Sequence, residues 1–219
     1  MKKSAAYWIW TICLAPLIFL AVVWQKLPGR VPMHYNINGE ADRYGSKNEL
    51  LVLIGILFAV NIGTYLLLSN IHRIDPKKKY TAENLPVMKR FAFIITFFMT
   101  ALSCFIIHTT LHAGSGFNGK FVVALIGLMI AALGNYMYNI KPNYFAGFRL
   151  PWTLESEENW KYTHRLAGRI WFVGGLVLTV LAFFLSEKAG FNVLMIITAI
   201  IVVVPTVYSY RFYKQNLNK

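Results

Sequence analysis

Residues 91–111 read FAFIITFFMTALSCFIIHTTL, twenty-one consecutive positions without an Asp, Glu, Lys or Arg. At about 1.5 Å rise per residue, such a run forms a helix of about 30 Å, the thickness of a bilayer's hydrocarbon core. A surface helix of a soluble domain carries charged residues on its outer face every three or four positions, and this run has none. Runs of similar length and character lie on both sides of it, at 7–23, 50–68, 121–140, 166–185 and 191–210. The chain therefore reads as an all-α integral membrane protein with six transmembrane helices. Composition agrees: charged residues make up only 14% of the 219, roughly half the share of a soluble domain, which excludes an ordinary soluble enzyme.

The net charge of +13 would suggest a nucleic-acid surface in a soluble chain, but here it sorts by side. Sixteen of the 22 Lys and Arg residues fall at the termini and in the even-numbered connections, and six in the odd-numbered ones. Short loops rich in Lys and Arg stay in the cytoplasm, so both termini are expected inside and no direct nucleic-acid contact is expected. The first run follows Lys2 and Lys3 as a signal peptide would, yet it lacks a small-x-small cleavage site and is expected to be retained. Cys13 and Cys104 are the only cysteines, and both lie within apolar runs, so no disulfide framework and no Cys-based zinc site is available.

Inside the spans, small residues mark where helices can approach. Gly55, Ala59 and Gly63 line one face of the second helix, and Gly127 with Ala131 one face of the fourth; both read as packing seams. Pro16 and Pro205 remove backbone donors from the first and last helices, so neighbours must satisfy the freed carbonyls. On the third helix Thr96, Thr100, Cys104 and His108 repeat every four residues, with His112 one turn further. That polar stripe reads as interhelical hydrogen bonding, or alternatively as the wall of a solute pathway.

Between the first two spans lies a short structured outer loop, 27–48. Pro28 and Pro32 favour extended backbone, and Asn38-Gly39 signals a type I′ turn, which predicts a hairpin with His34, Tyr35 and Asn36 facing Asp42, Arg43 and Tyr44. A rival reading places a metal among His34, Glu40, Asp42, His108 and His112 in a small membrane enzyme, although no zinc-protease spacing is present. No metal and no cofactor is expected. The inner connection, 141–165, carries Pro142 and Pro151 as helix stops, Thr153 or Ser156 as caps, and Glu155, Glu157 and Glu158 for the first turn of a new helix. On that helix Lys161, Arg165 and Arg169 form a basic stripe beside Trp160, His164, Ala167 and Trp171, an interfacial pattern suited to anionic lipid headgroups or to a docking partner.

Two sets of residues go further than pattern. Gly134-Asn135, Lys141-Pro142-Asn143, the run Gly147-Phe148-Arg149-Leu150-Pro151-Trp152-Thr153-Leu154, Trp160 and His164-Arg165-x-x-Gly168 resemble the signature of the SdpI family of bacterial membrane immunity proteins. Leu150 stands where threonine is usual. Pro32-x-His34-Tyr35-Asn36-x-x-Gly39-x-x-Asp42-x-Tyr44-Gly45-x-Lys47 resembles the extracytoplasmic motif of a domain of unknown function often joined to that family. The resemblance implies a multi-pass protein of the bacterial cytoplasmic membrane that protects its own cell from a secreted peptide toxin met at the outer face. It also implies that a cytosolic transcriptional repressor is held at the inner face. The expected organisation is an N-terminal two-helix unit over 1–70 with the extracytoplasmic 27–48 loop, a basic cytoplasmic linker over 71–90, and an SdpI-like four-helix unit over 91–219 with the cytoplasmic 141–165 loop. Expected binding residues are His34, Asn36, Asp42 and Tyr44 outside, and Arg149, Trp152, Trp160, His164 and Arg165 inside. Gly39, Gly147, Pro151 and Thr153 are expected to shape the loops.

Overall fold

The computed structural model describes residues 3–36, 38–112 and 118–216. Lys2 and Lys219, which contribute to the charge count above, lie outside them. Among the described residues, six helices are long and apolar enough to cross a membrane: α1 (Lys3–Val23), α2 (Lys47–Ile74), α3 (Thr81–Leu111), α4 (Gly119–Met137), α6 (Glu157–Phe184) and α7 (Glu187–Asn216), with the five-residue α5 (Pro151–Glu155) before α6. Their outer surfaces carry apolar side chains in the open: Val22 is 72% exposed, Val52 60%, Val203 54% and Phe184 81%. A water-facing protein rarely displays so large a continuous apolar surface, whereas hydrocarbon accepts it.

One addition to the all-α expectation is a two-stranded antiparallel sheet between α1 and α2, β1 (Arg30–Tyr35) and β2 (Ala41–Ser46). A second difference concerns the basic stretch 71–90, most of which is helical. α2 runs on to Ile74 and stops where Asp75 turns the chain, its carboxylate accepting from Lys77 N at 2.9 Å. A single 3-10 turn, Lys78–Tyr80, then leads into α3 at Thr81. The basic residues there read as a boundary between spans, but the helices continue through them, and Glu83 in the first turn of α3 suits the positive end of its dipole.

The bundle has two halves. In one, α1, α2, α3 and the hairpin share a core of Leu20, Leu27, Val31, Leu50, Ile54 and Ile107. In the other, α4, α6 and α7 share Val123, Ala124, Ile130, Leu178, Ile197 and Ile201. A third cluster, around Met88, Phe91, Met137 and Trp160, joins the halves at the end opposite the hairpin.

Lipid provides no hydrophobic drive between helices, so α4 and α6 associate through close backbone approach. A Cβ placed on Gly175 would lie 2.4 Å from Ala131 N and 2.5 Å from Gly127 O, and one on Gly134 would lie 2.6 Å from Phe172 N. The Gly127–Ala131 seam is thus the α4–α6 contact. The other expected seam is not one: a Cβ on Gly55 or Gly63 would meet nothing within 4 Å, and Ala59 and Gly63 face outward. Spacing revealed a smooth face there, but the fold turns that face away from the other helices.

Both mid-span prolines find the compensation expected of them. Pro16 leaves Ile12 O without its helical donor, and Thr100 Oγ1 donates to it at 3.2 Å from α3. Pro205 frees Ile201 O in the same way, and the Trp171 indole N–H donates to it at 2.9 Å from α6. Thr100 Oγ1 also accepts from the buried Asn61 Nδ2 at 3.3 Å, so one hydroxyl ties α1, α2 and α3 together. In this part of the polar stripe, Thr100 does interhelical work.

Candidate functional site

At the end opposite the hairpin, residues 139–165 form a folded knot and not an open loop. The Trp160 indole N–H donates to Ile140 O at 2.8 Å, and the Trp160 ring stacks on His164 with centroids 4.0 Å apart. His164 faces Trp160 O through Nδ1 at 2.8 Å and accepts the Phe148 N–H at Nε2, 2.9 Å away. A backbone N–H can only donate, so Nε2 must be bare and Nδ1 must carry the proton; the two partners define one neutral tautomer. Gly147 makes the approach possible: its φ is +100°, and a Cβ there would lie 2.2 Å from His164 Nε2.

Other side chains complete the knot. Asn143 Oδ1 accepts from Phe145 N and Ala146 N, both at 2.8 Å, while its amide donates to Lys141 O and Ala146 O. Thr153 Oγ1 accepts from Leu150 N at 2.9 Å and reaches Phe148 O at 2.6 Å. Pro151 opens α5 at its first position, where its missing N–H costs nothing. Ser156, not Thr153, caps α6 by accepting from Asn159 N at 3.1 Å, and Glu155 closes α5 instead of opening α6.

The knot is also fastened to the rest of the bundle. Asn84 on α3 exchanges two hydrogen bonds with the backbone of Lys141, at 2.8 and 3.1 Å. Lys77 Nζ donates to Leu154 O. On α7, Ser209 O accepts from Asn159 Nδ2 at 3.0 Å and Ser209 Oγ accepts from Trp152 Nε1 at 3.0 Å.

Of the inner residues expected to bind a partner, Trp160 and His164 are each 1% exposed, so their side chains belong to the interior and present no docking surface. The expectation placed them on an accessible helix face because α6 looks interfacial by sequence, but the 139–150 segment folds over that face. Arg149 and Arg165 do lie outside: Arg149 donates to Tyr144 O at 2.7 Å, and the Arg165 guanidinium sits 5.6 Å from the centre of the Tyr138 ring. Trp152 is half-buried against Tyr210 and Tyr213. Sequence reading missed Asn84, Asn159 and Ser209 as partners of the knot. Asn143 alone carried a local signal, since an Asn after Pro commonly builds such a turn.

At the other end, the hairpin stands on firm feet. Val31 is fully buried; Lys47 Nζ donates to Trp24 O at 3.2 Å; and Ser46 with Glu49 forms a capping box at the start of α2. Its tip differs from the expected two-residue turn. Among the described residues of the tip only Gly39 has positive φ, +79°, and the loop is built by Asn36, whose Oδ1 accepts from Asn38 N and Glu40 N while its amide donates to Glu40 Oε2. A side-chain acceptor at Asn36 thus overrides the local Asn-Gly signal.

The outer candidates sit on this platform. His34 Nδ1 donates to Asp42 Oδ1 at 2.6 Å, with both side chains well exposed. Arg30 lies over the exposed ring of Tyr44 at 5.9 Å. Tyr35 is half-buried, and burial pushes its phenol pKa up, with a smaller push from Tyr44. The five residues of the metal reading separate into local pairs: His34 with Asp42, Asn36-bound Glu40, and His108 with His112 at 4.5 Å between ring centres. Among the described residues no three His, Cys, Asp or Glu side chains converge.

This architecture is that of a multi-pass helical membrane protein with a small hairpin at one end and a hydrogen-bonded knot at the other. Residues 139–209 match the SdpI/YfhL protein family, and residues 11–58 match a domain of unknown function, DUF1648. The first match holds the knot and its anchor Ser209 on α7, while the anchors Asn84 and Lys77 lie outside it; the second spans most of α1, the hairpin and the start of α2. At family level the first match supports a membrane protein of immunity type. No curated protein and no solved structure matches the chain.

Proposed function

We propose that this protein protects the bacterium that makes it from a secreted antimicrobial peptide of the sporulation-delaying type. It would sit in the cytoplasmic membrane with both termini inside and the hairpin outside. The observation that carries this reading is the hairpin: a two-strand sheet fastened at its base, each strand paired, among the described residues, only to the other, with His34 and Asp42 turned outward. An extended peptide can add to an unpaired strand edge through backbone hydrogen bonds, while His34, Asp42, Tyr44 and Asn36 supply side-chain selectivity. At the inner end, the exposed Arg149 and Arg165 with the half-buried Trp152 offer a basic and aromatic surface for a cytosolic repressor. Trp160 and His164 hold that surface in shape. The role is binding, with no bond made or broken.

Survival of a sensitive strain expressing the chain, challenged with the peptide, tests the reading. The parent should protect, and an Asp42→Ala, Arg149→Ala double variant at equal membrane level should not. Equal survival of the two would separate protection from these residues, and killing of the parent strain would overturn the reading.

A further inference from the structure

Beneath the hairpin lies a cavity of about 660 Å³ that nothing above uses. It falls in the range of sites that hold drug-sized molecules. Its walls are apolar and come from four helices, among them Leu53, Leu102, Phe105, Ile126 and Phe191. Leu102 lies nine residues before the end of α3, so the floor is about 13 Å below the helix end by helical rise. At the lip stand Tyr35, Asn36 and Glu187, together with the His34 that is paired to Asp42.

Charge distinguishes this cavity from the rest of the molecule. The chain carries +13 overall, yet among the described residues no Lys or Arg lines the cavity, and Glu187 supplies its one carboxylate. Glu187 Oε1 accepts the Gly119 N–H at 3.1 Å, and Oε2 lies under the hairpin tip, where a Cβ on Gly39 would come within 2.2 Å of it. Among the described residues Glu187 is in no ion pair. A carboxylate held at the mouth of an apolar, aromatic-bearing chamber favours a ligand with an apolar body and a positive charge, since aromatic faces attract cations and the low-dielectric walls strengthen the attraction.

We propose that this cavity is a binding site for hydrophobic cations, with the apolar body among the α2, α3, α4 and α7 side chains and the charge beside Glu187. The site shares His34 and Asn36 at its lip with the proposed peptide surface, but its ligand is defined by the chamber and Glu187, so it can bind whether or not the protection reading holds.

Two ions of nearly equal size and opposite charge test it: tetraphenylphosphonium and tetraphenylborate. Saturable binding of radiolabelled tetraphenylphosphonium to the purified full chain in nanodiscs should exceed that of empty nanodiscs, and tetraphenylborate, measured in separate samples, should not bind saturably. Glu187→Gln keeps an acceptor for Gly119 N–H and should weaken binding about tenfold. Ile126→Trp fills the chamber and should abolish binding while the thermal midpoint stays within a few degrees of the parent. Absence of saturable binding would overturn the proposal. Equal saturable binding of the borate would show a pocket indifferent to charge, and unchanged affinity in Glu187→Gln would remove the carboxylate from the site; either overturns it.

Discussion

At the knot, Asn143, Thr153, Trp160 and His164 are each no more than 1% exposed and every one makes a hydrogen bond to backbone. At the hairpin, the His34 and Asp42 side chains are 64% and 45% exposed and bond mainly to one another. The same polar residue types thus serve opposite ends. Buried side chains that satisfy backbone groups hold an irregular segment against helices, where an unmade bond costs the full desolvation of its partner. Exposed ones contribute little to stability, because water competes for them, and are free to meet another molecule. The motif most recognisable in sequence is therefore architecture at its buried positions, and of its expected binding residues only Arg149 and Arg165 stand in the open beside the half-buried Trp152.

The contrast breaks first at Trp160. Replacing it by Ala removes a buried aromatic, its stack on His164 and the donor to Ile140 O, and should cost about 3–5 kcal/mol. Fluorescence-detected size exclusion after heating should show an aggregated or strongly destabilised protein; a melting curve like that of the parent would mean the knot is not structural. Gly147→Ala comes next. Its backbone conformation alone should cost about 1–3 kcal/mol, and the added Cβ would press on His164 Nε2. If Gly147→Ala melts with the parent, the Phe148–His164 bond is dispensable.

The helices were legible because their signal is local: six apolar runs are long enough to span a bilayer, whatever packs against them. The prolines were legible for the same reason, since Pro16 and Pro205 each name in advance the carbonyl that needs a donor. What supplied it, Thr100 or Trp171, depended on helix packing. Trp160 and His164 were expected on an accessible face and are buried, because no pattern within 151–171 says that 139–150 will cover them. Gly55, Ala59 and Gly63 failed for the mirror-image reason: a smooth face does not say whether a partner comes. The hairpin was legible in its strands but not at its tip, where the side chain of Asn36 decided the turn.

A smaller effect sharpens the comparison from within the membrane. Trp171→Phe leaves Ile201 O without its donor and should cost about 0.6–1.7 kcal/mol, the range for interhelical hydrogen bonds in bilayers. In a Pro205→Ala background, residue 205 regains its N–H and can bond Ile201 O along the helix, so Trp171→Phe should cost distinctly less. Thermal or denaturant stability of the four proteins gives the coupling directly. Strict additivity would mean the indole N–H does not compensate the proline.

The smallest change in stability belongs to the hairpin, and there the comparison is most exposed to contradiction. Asp42→Asn keeps the shape of the side chain and an oxygen that can accept from His34, but removes the charge. The pair is solvated, so the loss should be under about 1 kcal/mol and the melting midpoint should barely move. Survival under peptide challenge should nevertheless fall as far as for Asp42→Ala, if the carboxylate faces the peptide. Should Asp42→Asn both lower stability strongly and leave protection intact, the hairpin would be architecture like the knot. The recognising surface would then have to be sought at the lip of the cavity, where Glu187 is the remaining carboxylate.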